Sequence, residues 1–516
     1  METWFIIIIS LCIAALIKAF FNLLYPNNIP RLPPGPFTFP IIGSYLLHRK
    51  SSLELQHFIR TRLQPKYGPI LTLHINCNSP SIFISDPSLA HQALIQTGAV
   101  FADRPAASII RRISSCNQHS INSAAYGPTW RLLRRNLMAE ILHPLRVKSF
   151  ANARKRVLLT LLDCFNYHSK SGDAFRLMDP FRSANLSLLV LMCFGDKLDQ
   201  KKIKEVEDHQ FRMLMSFRRF SILDLWPRIT KIVFCQKYKE FLRMHQRQCE
   251  VFMPLIEERR KFKEERVRNS KLRVMEVNDN EYVQAYVDTL FDLQLPEEKR
   301  KLNEKEITTL CSEFISAGTI TTSTALQWVM ANLVKYPHIQ QKLFTEIKGI
   351  VGDEEREVKE EDLTKMPYLK AVILETLRRH PPLGFVVPHA VTEDIVLNGY
   401  LIPKNASINF MVTDMGLDPK GWDDPMSFRP ERFLDKAQVF DITGSREIKM
   451  MPFGVGRRIC PGLGLAILHL EYFVANFIWH YEWKAVEGDE INLEEKQEIL
   501  TVMKIPLQAH LNPRFP

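Results

Sequence analysis

Apolar residues run almost unbroken from Trp4 to Leu24, WFIIIISLCIAALIKAFFNLL. These 21 residues suffice to cross a bilayer core of ~30 Å at about 1.5 Å per residue. Past residue 40 the apolar positions fall mostly at helical spacing, as in LRMHQRQCEVFMPLIEERRKFKEERV, which keeps a charged face. Asn303 and Glu306 stand as N-cap and capping-box partner of a helix that the spacing predicts to reach about Lys335. Strand-like alternation is confined to short pieces, GPILTLHI and IVLNGYLIP, the second with a turn at Asn398-Gly399. The pattern predicts a mainly α chain with small antiparallel β-sheets.

Length changes this picture little. The 516 residues contain no glycine-serine linker or repeat period, so one large domain is expected. With 46% hydrophobic and 24% charged residues the chain is far from a disordered one and can bury a large cofactor. A net charge of +11 points to an acidic partner or an anionic membrane surface, with a mixed basic face as the plain alternative, and no nucleic-acid partner is expected. Nine cysteines without a CxxC pair argue against a disulfide framework and for a reducing compartment. The apolar start carries Glu2 and no basic side chain, and is long for a cleaved signal peptide, so residues 1–25 are expected to be a retained single-pass anchor. Arg31, Arg49, Lys50, Arg60 and Arg62 follow it and place the body in the cytosol. Residues 26–38 are expected to be a proline-rich spacer, and 39–516 the globular body.

Two stretches carry candidate chemistry. FISAGTITTSTALQW puts Gly318 and a run of hydroxyls inside this long predicted helix, where glycine costs about 1 kcal/mol relative to alanine. PFGVGRRICPGLG, residues 452–464, presents Cys460 in a turn-rich loop just before an apolar helical run, where the helix terminus favours a thiolate. Such a loop suits a metal; a buried structural cysteine is the alternative. Phe453, Gly456, Arg458, Cys460 and Gly462 fill every fixed position of F-x-x-G-x-R-x-C-x-G. Glu375 and Arg378 form E-x-x-R, FRPERF supplies Arg432, WRLLR supplies Trp130 and Arg134, and PPGP occupies 33–36. In this order the motifs resemble those of the cytochrome P450 monooxygenases, over residues 30 to 512, and FADRP and YGPTWRLLRRNL resemble the plant microsomal members.

The resemblance implies haem b, ligated by the Cys460 thiolate and lying between the long distal helix and the helix that follows the cysteine loop. It implies that Trp130, Arg134, Arg458 and His389 meet the haem propionates, that Phe453 and Gly462 also bind the haem, and that Glu375, Arg378 and Arg432 form a buried ion network supporting the cysteine loop. AGTITT falls on the family's distal turn, so Gly318 is expected to leave room for oxygen and Thr321 to take part in proton delivery. Ile320 stands where the family usually has an acid. The pocket is expected to include the loop 106–128, Phe314, Ala317, Phe385, Val386, Val387 and Ile499 to Thr501 with Leu500, walls suited to a lipophilic small molecule. FRRFSILDLWPRITKIVF, with Trp226, reads as an interfacial patch or equally as a buried helix pair. The implied partners are O2, NADPH-cytochrome P450 reductase, with Arg131 and Arg135 facing it, and the endoplasmic-reticulum membrane. A haem-thiolate catalyst of rearrangement, dehydration or coupling without oxygen activation, motivated by Ile320, and a catalytically silent haem binder are the alternatives.

Overall fold

The computed structural model describes residues 31–36, 46–47, 49–76, 79–195, 199–224, 227–271, 283–353, 356–434, 440–488 and 490–515. The expected anchor at 1–25 and Trp226 lie outside them. Six helices position the site: α1 (Pro128–Glu140), α2 (Met178–Phe194), α3 (Gln200–Phe220), α4 (Glu304–Lys335), α5 (Pro367–Arg379) and α6 (Leu463–His480). Helix α4 starts where its cap predicts. Asn303 Oδ1 accepts the Glu306 N–H at 3.0 Å, and the Glu306 carboxylate accepts the Asn303 N–H at 2.7 Å.

Helix α4 packs against α2, α5 and α6, and its apolar residues Leu310, Ile315, Leu326 and Trp328 are buried in the main core. Side chains of this size stabilise by roughly 1.5–3 kcal/mol each when fully buried. Helix α6 is long and apolar enough to cross a membrane, yet it is 61% buried inside the protein and carries Phe473, Phe477 and Trp479 in the same core. Its composition serves packing.

The sheets are small. Strands β1 (Ile70–Asn76), β2 (Ser79–Ile84), β3 (His389–Ala390), β4 (Ile395–Leu397), β5 (Tyr400–Ile402), β6 (Ser407–Phe410), β7 (Glu495–Gln497) and β8 (Thr501–Met503) include the predicted GPILTLHI and IVLNGYLIP segments. β4 and β5 form a hairpin around Asn398 and Gly399, whose φ values of 51° and 78° are those of a tight left-handed turn. In the four-stranded sheet, ordered β1-β2-β6-β3, the β2–β6 pair is parallel, with Ser81 opposite Ser407, whereas the other pairs are antiparallel. No hairpin links β2 to β6, so nothing forces an antiparallel direction on them.

Residues 31–36 of the proline-rich segment lie on the body. Pro33 is buried, the Pro34 carbonyl accepts the Thr72 N–H at 2.9 Å, and the Arg31 carbonyl accepts the Leu401 N–H at 2.9 Å.

Candidate active site

Cys460 is held by its own loop. Its N–H donates to the Phe453 carbonyl at 2.9 Å, and Arg134 Nη2 on α1 donates to the Ile459 carbonyl at 2.6 Å. Gly456 has φ 72°, and a Cβ there would lie 2.2 Å from the Leu94 carbonyl oxygen, so the loop passes where a side chain does not fit. Gly462 caps α6. Burial pushes the Cys460 thiol up, while the Gly462 N–H and Arg134 pull it down. The helix-terminus effect expected from the sequence is present but outweighed by desolvation.

The thiol faces a cavity of about 470 Å³, mostly apolar, between α4 and the α6 loop. Three guanidinium groups, those of Arg104, Arg134 and Arg458, line it. Burial is the first cause lowering each of them, and Arg104 is brought to about 9 and Arg458 to about 10. Arg458 also depresses Arg104, and Arg134 depresses both. Their N–H groups are partly spent on carbonyls: Arg458 Nε on Ala102 and Nη2 on Ala124, both at 2.7 Å. His389 is buried beside them. Its Nδ1 donates to the Phe101 carbonyl at 2.7 Å, and burial, then Arg104, pushes its pKa down to about 3. Trp130 lies under the Arg458 guanidinium at 4.4 Å from the ring centre, and its buried Nε1 has no partner among the described residues. Crowded cations and an orphaned N–H on one apolar cavity call for an anionic partner. A flat apolar ring bearing acidic arms and a thiolate-binding metal, which is what haem offers, fits these residues.

On the distal side α4 is unbroken. Its hydroxyls bond back along the helix: Thr319 to the Ile315 carbonyl at 2.7 Å, Thr321 to Ala317 at 2.6 Å and Ser323 to Thr319 at 2.8 Å. Gly318, Ile320 and Thr321 all line the cavity. A Cβ at Gly318 would also lie 2.7 Å from Leu189 Cδ1 of α2, so the glycine admits a neighbouring helix as well. Asn185 Nδ2 of α2 then donates to the Gly318 carbonyl at 3.0 Å.

Phe314, Ala317, Phe385, Val386, Val387, Ile499 and Leu500 line the same cavity. Thr501 does not; it is buried, and its N–H donates to the Pro382 carbonyl at 2.9 Å. Of the loop 106–128 Ile121 and Asn122 reach it. Away from the cavity, Arg378 clasps Glu375 through Nε at 2.6 Å and Nη2 at 2.8 Å, and Arg432 Nε donates to Glu375 at 3.1 Å. All three are at most 9% exposed at the side chain. Arg131 and Arg135 are exposed on α1. Sequence reasoning missed Arg104 and Glu313. The arginine of FADRP and the lone acid among the apolar positions of TLCSEFISAG were the available signals.

The model of the cytochrome P450 family matches residues 33–512. Cytochrome P450 89A9 of Arabidopsis thaliana is 47% identical, covering 98% of this chain and 99% of the relative. Germacrene A acid 8-beta-hydroxylase of Helianthus annuus is 30% identical over 97% of this chain and 96% of its own length. A solved zebra fish cytochrome P450 with progesterone superposes with a TM-score of 0.71 at 22% identity, over 89% of this chain and 99% of that one, a likeness of fold.

Proposed function

From the premise that this chain belongs to the cytochrome P450 family and is a monooxygenase, we propose that it carries haem b on Cys460 and inserts one atom of O2 into a small lipophilic substrate of plant specialised metabolism. Electrons come from NADPH through NADPH-cytochrome P450 reductase. Residues 1–25 anchor it as a single span in the endoplasmic-reticulum membrane, with 39–516 as the cytosolic catalytic domain. The observation that carries this reading is the Cys460 thiol facing the same cavity as the three guanidinium groups and Thr321. The relative named as a hydroxylase supports oxygen insertion.

When bound, haem supplies the reductive splitting of dioxygen. Cys460 would hold its iron, while Arg104, Arg134, Arg458, Trp130 and His389 would hold its acidic arms by charge and hydrogen bonds. Phe314, Ala317, Phe385, Val386, Val387 and Leu500 exclude water and place the substrate by shape. Thr321 Oγ1 gives its proton to Ala317 and keeps lone pairs that accept from a water, so it can end a proton chain. Ile320 can neither donate nor accept. Protons therefore reach the site through water on Thr321 or through a hydroxyl of the substrate. Ile229, Ile232 and Val233 of the helix Pro227–Val233 are exposed and suit a membrane-facing surface near the substrate entrance.

Reconstitution with reductase under 18O2 tests the reading: one labelled atom per product and O2 uptake are expected. Product formed at the same rate without O2 would instead favour the rearrangement, dehydration or coupling chemistry that Ile320 also permits.

A further inference from the structure

Among the described residues, Glu313 is the one carboxylate that lines the cavity. It stands seven residues before Ile320 on α4, so two turns and about 10 Å of rise separate them along one stripe of the helix. Ala317 lies between them, small and exposed on the cavity. The acid missing at 320 thus has a counterpart further along the same face.

This carboxylate is fixed by the loop before α1. It accepts the Ile121 N–H at 2.9 Å and the Asn122 N–H at 2.8 Å, one on each oxygen, while Arg104 Nε holds the Asn122 carbonyl from the other side at 2.8 Å. Burial pushes the Glu313 carboxyl up, and the two N–H groups, the Ser120 hydroxyl and Arg104 oppose it. Ser120 Oγ in turn lies 2.7 Å from Ser123 Oγ. A carboxylate only accepts, so Ser120 gives its proton to Glu313 and accepts from Ser123. Ser120 is buried and Ser123 half-buried, and both hydroxyls therefore donate inward from the surface. The two N–H groups and the hydroxyl leave one of the roughly four acceptor sites of the carboxylate for the cavity. The titratable groups that bear on Glu313 are Arg104, which it raises against burial, and Tyr286 of the helix Tyr286–Leu290, which burial, Cys311 and Glu313 push up. One stays a cation and the other a neutral phenol, so neither competes with it for protons near neutral pH.

We propose that Ser123, Ser120 and Glu313 form the proton inlet of this site, passing protons from the surface through two hydroxyls to the carboxylate, and on along a few waters past Ala317 to Thr321. Each hop makes one O–H bond and breaks another, and one proton moves inward. The path is longer than one that starts at residue 320, so Ile320→Asp still shortens it. Its assay rests on the haem-thiolate reading.

The test uses the full-length holoprotein with NADPH and reductase and no added substrate, where O2 takes one NADPH to leave as peroxide and two to leave as water. Water formation needs further protons inside the site, so peroxide per NADPH reads the inlet. Ser120→Ala and Glu313→Gln are each expected to cut the water-forming rate by at least about tenfold, less than the full contribution of a positioned acid, and Ser120→Thr to restore it. In the natural protein that rate should fall as pH rises, and Glu313→Gln should flatten the dependence. Stopped-flow infrared spectra in D2O give a readout without turnover: the Glu313 carboxyl, identified as the band that Glu313→Gln removes, should deuterate at least about tenfold more slowly in Ser120→Ala. Amide exchange at Ile121 and Asn122 should stay unchanged in that variant. Unaltered water formation in either Ser120→Ala or Glu313→Gln overturns the inlet, as does a natural protein that releases only peroxide. A loss in Ser120→Ala that comes with faster amide exchange, or that Ser120→Thr does not restore, makes these contacts structural and overturns it too. Absence of the thiolate Soret band from the reduced, carbon monoxide-treated protein would instead sink the haem-thiolate reading, which that spectrum reports separately.

Discussion

Asp414 shows how far one side chain can depart from its ordinary chemistry. Its carboxylate oxygens are buried with no side-chain hydrogen bond among the described residues, Arg60 Nε is 3.7 Å away, and burial, opposed by Arg60 and the residue's own backbone, raises the pKa to about 6 from 3.8. A raised carboxyl pKa means that folding favours the neutral acid: its contribution is full below pH 3.8 and is lost as pH rises through about 6. Asp414→Asn is expected to stabilise the protein by on the order of 3 kcal/mol at pH 7.5, with the gain vanishing near pH 4, as denaturant unfolding at both values would show. Ile320 gives a second expectation at this scale. Ile320→Asp should raise product formed per NADPH and lower peroxide release; tight coupling in the natural protein with no gain in the variant would show that proton delivery never used this position. Cys460, Trp130 and Arg134 were legible in the sequence because their spacing is local. The joint grip of Arg104 and Glu313 on Asn122 was not, because only the fold brings these three segments together.

Among the elements, α4 was readable from its cap and apolar spacing, but its hydroxyl run misled. A glycine and several threonines suggest a loosened helix, whereas α4 runs unbroken with these side chains bonded back to the carbonyls four residues earlier. The parallel β2–β6 pair was equally hidden, since direction across a long connection leaves no mark in alternation. Helix α5 carries the buried ion network, and Glu375→Leu would leave the Arg378 charge uncompensated. A loss of roughly 3–5 kcal/mol is expected, read as a lower thermal midpoint and easier haem loss. Helix α3 offers a pH test. His209 on α3 and His245 on the helix Cys235–Lys271 have buried Nε2 atoms with no partner among the described residues, and burial first of all brings each to about 4. Lowered histidine pKa values mean stability that is full above pH 6.5 and is lost as pH falls toward 4. Amide exchange in α3 should therefore accelerate between pH 6.5 and pH 5 more than in the centre of α4.

At the scale of the whole molecule, the fold class and the placing of the cysteine loop opposite α4 follow from pattern and motif, because core periodicity and contiguous loops are written locally. The exposed surface tells more about partners. Arg131 and Arg135 stand outward on α1, the helix whose Arg134 and Trp130 turn inward. Reversing both charges should slow haem reduction by the reductase, most strongly at low salt, where exposed charges are least screened. Equal rates at low salt would remove them from the docking face. Everything else depends on Cys460. The most direct measurement is the absorption spectrum of the reduced, carbon monoxide-treated protein beside that of Cys460→Ser: the natural protein should show the red-shifted Soret band of thiolate-ligated haem and the variant should lose it, whereas a variant that keeps the band would contradict the assignment of Cys460 as the iron ligand.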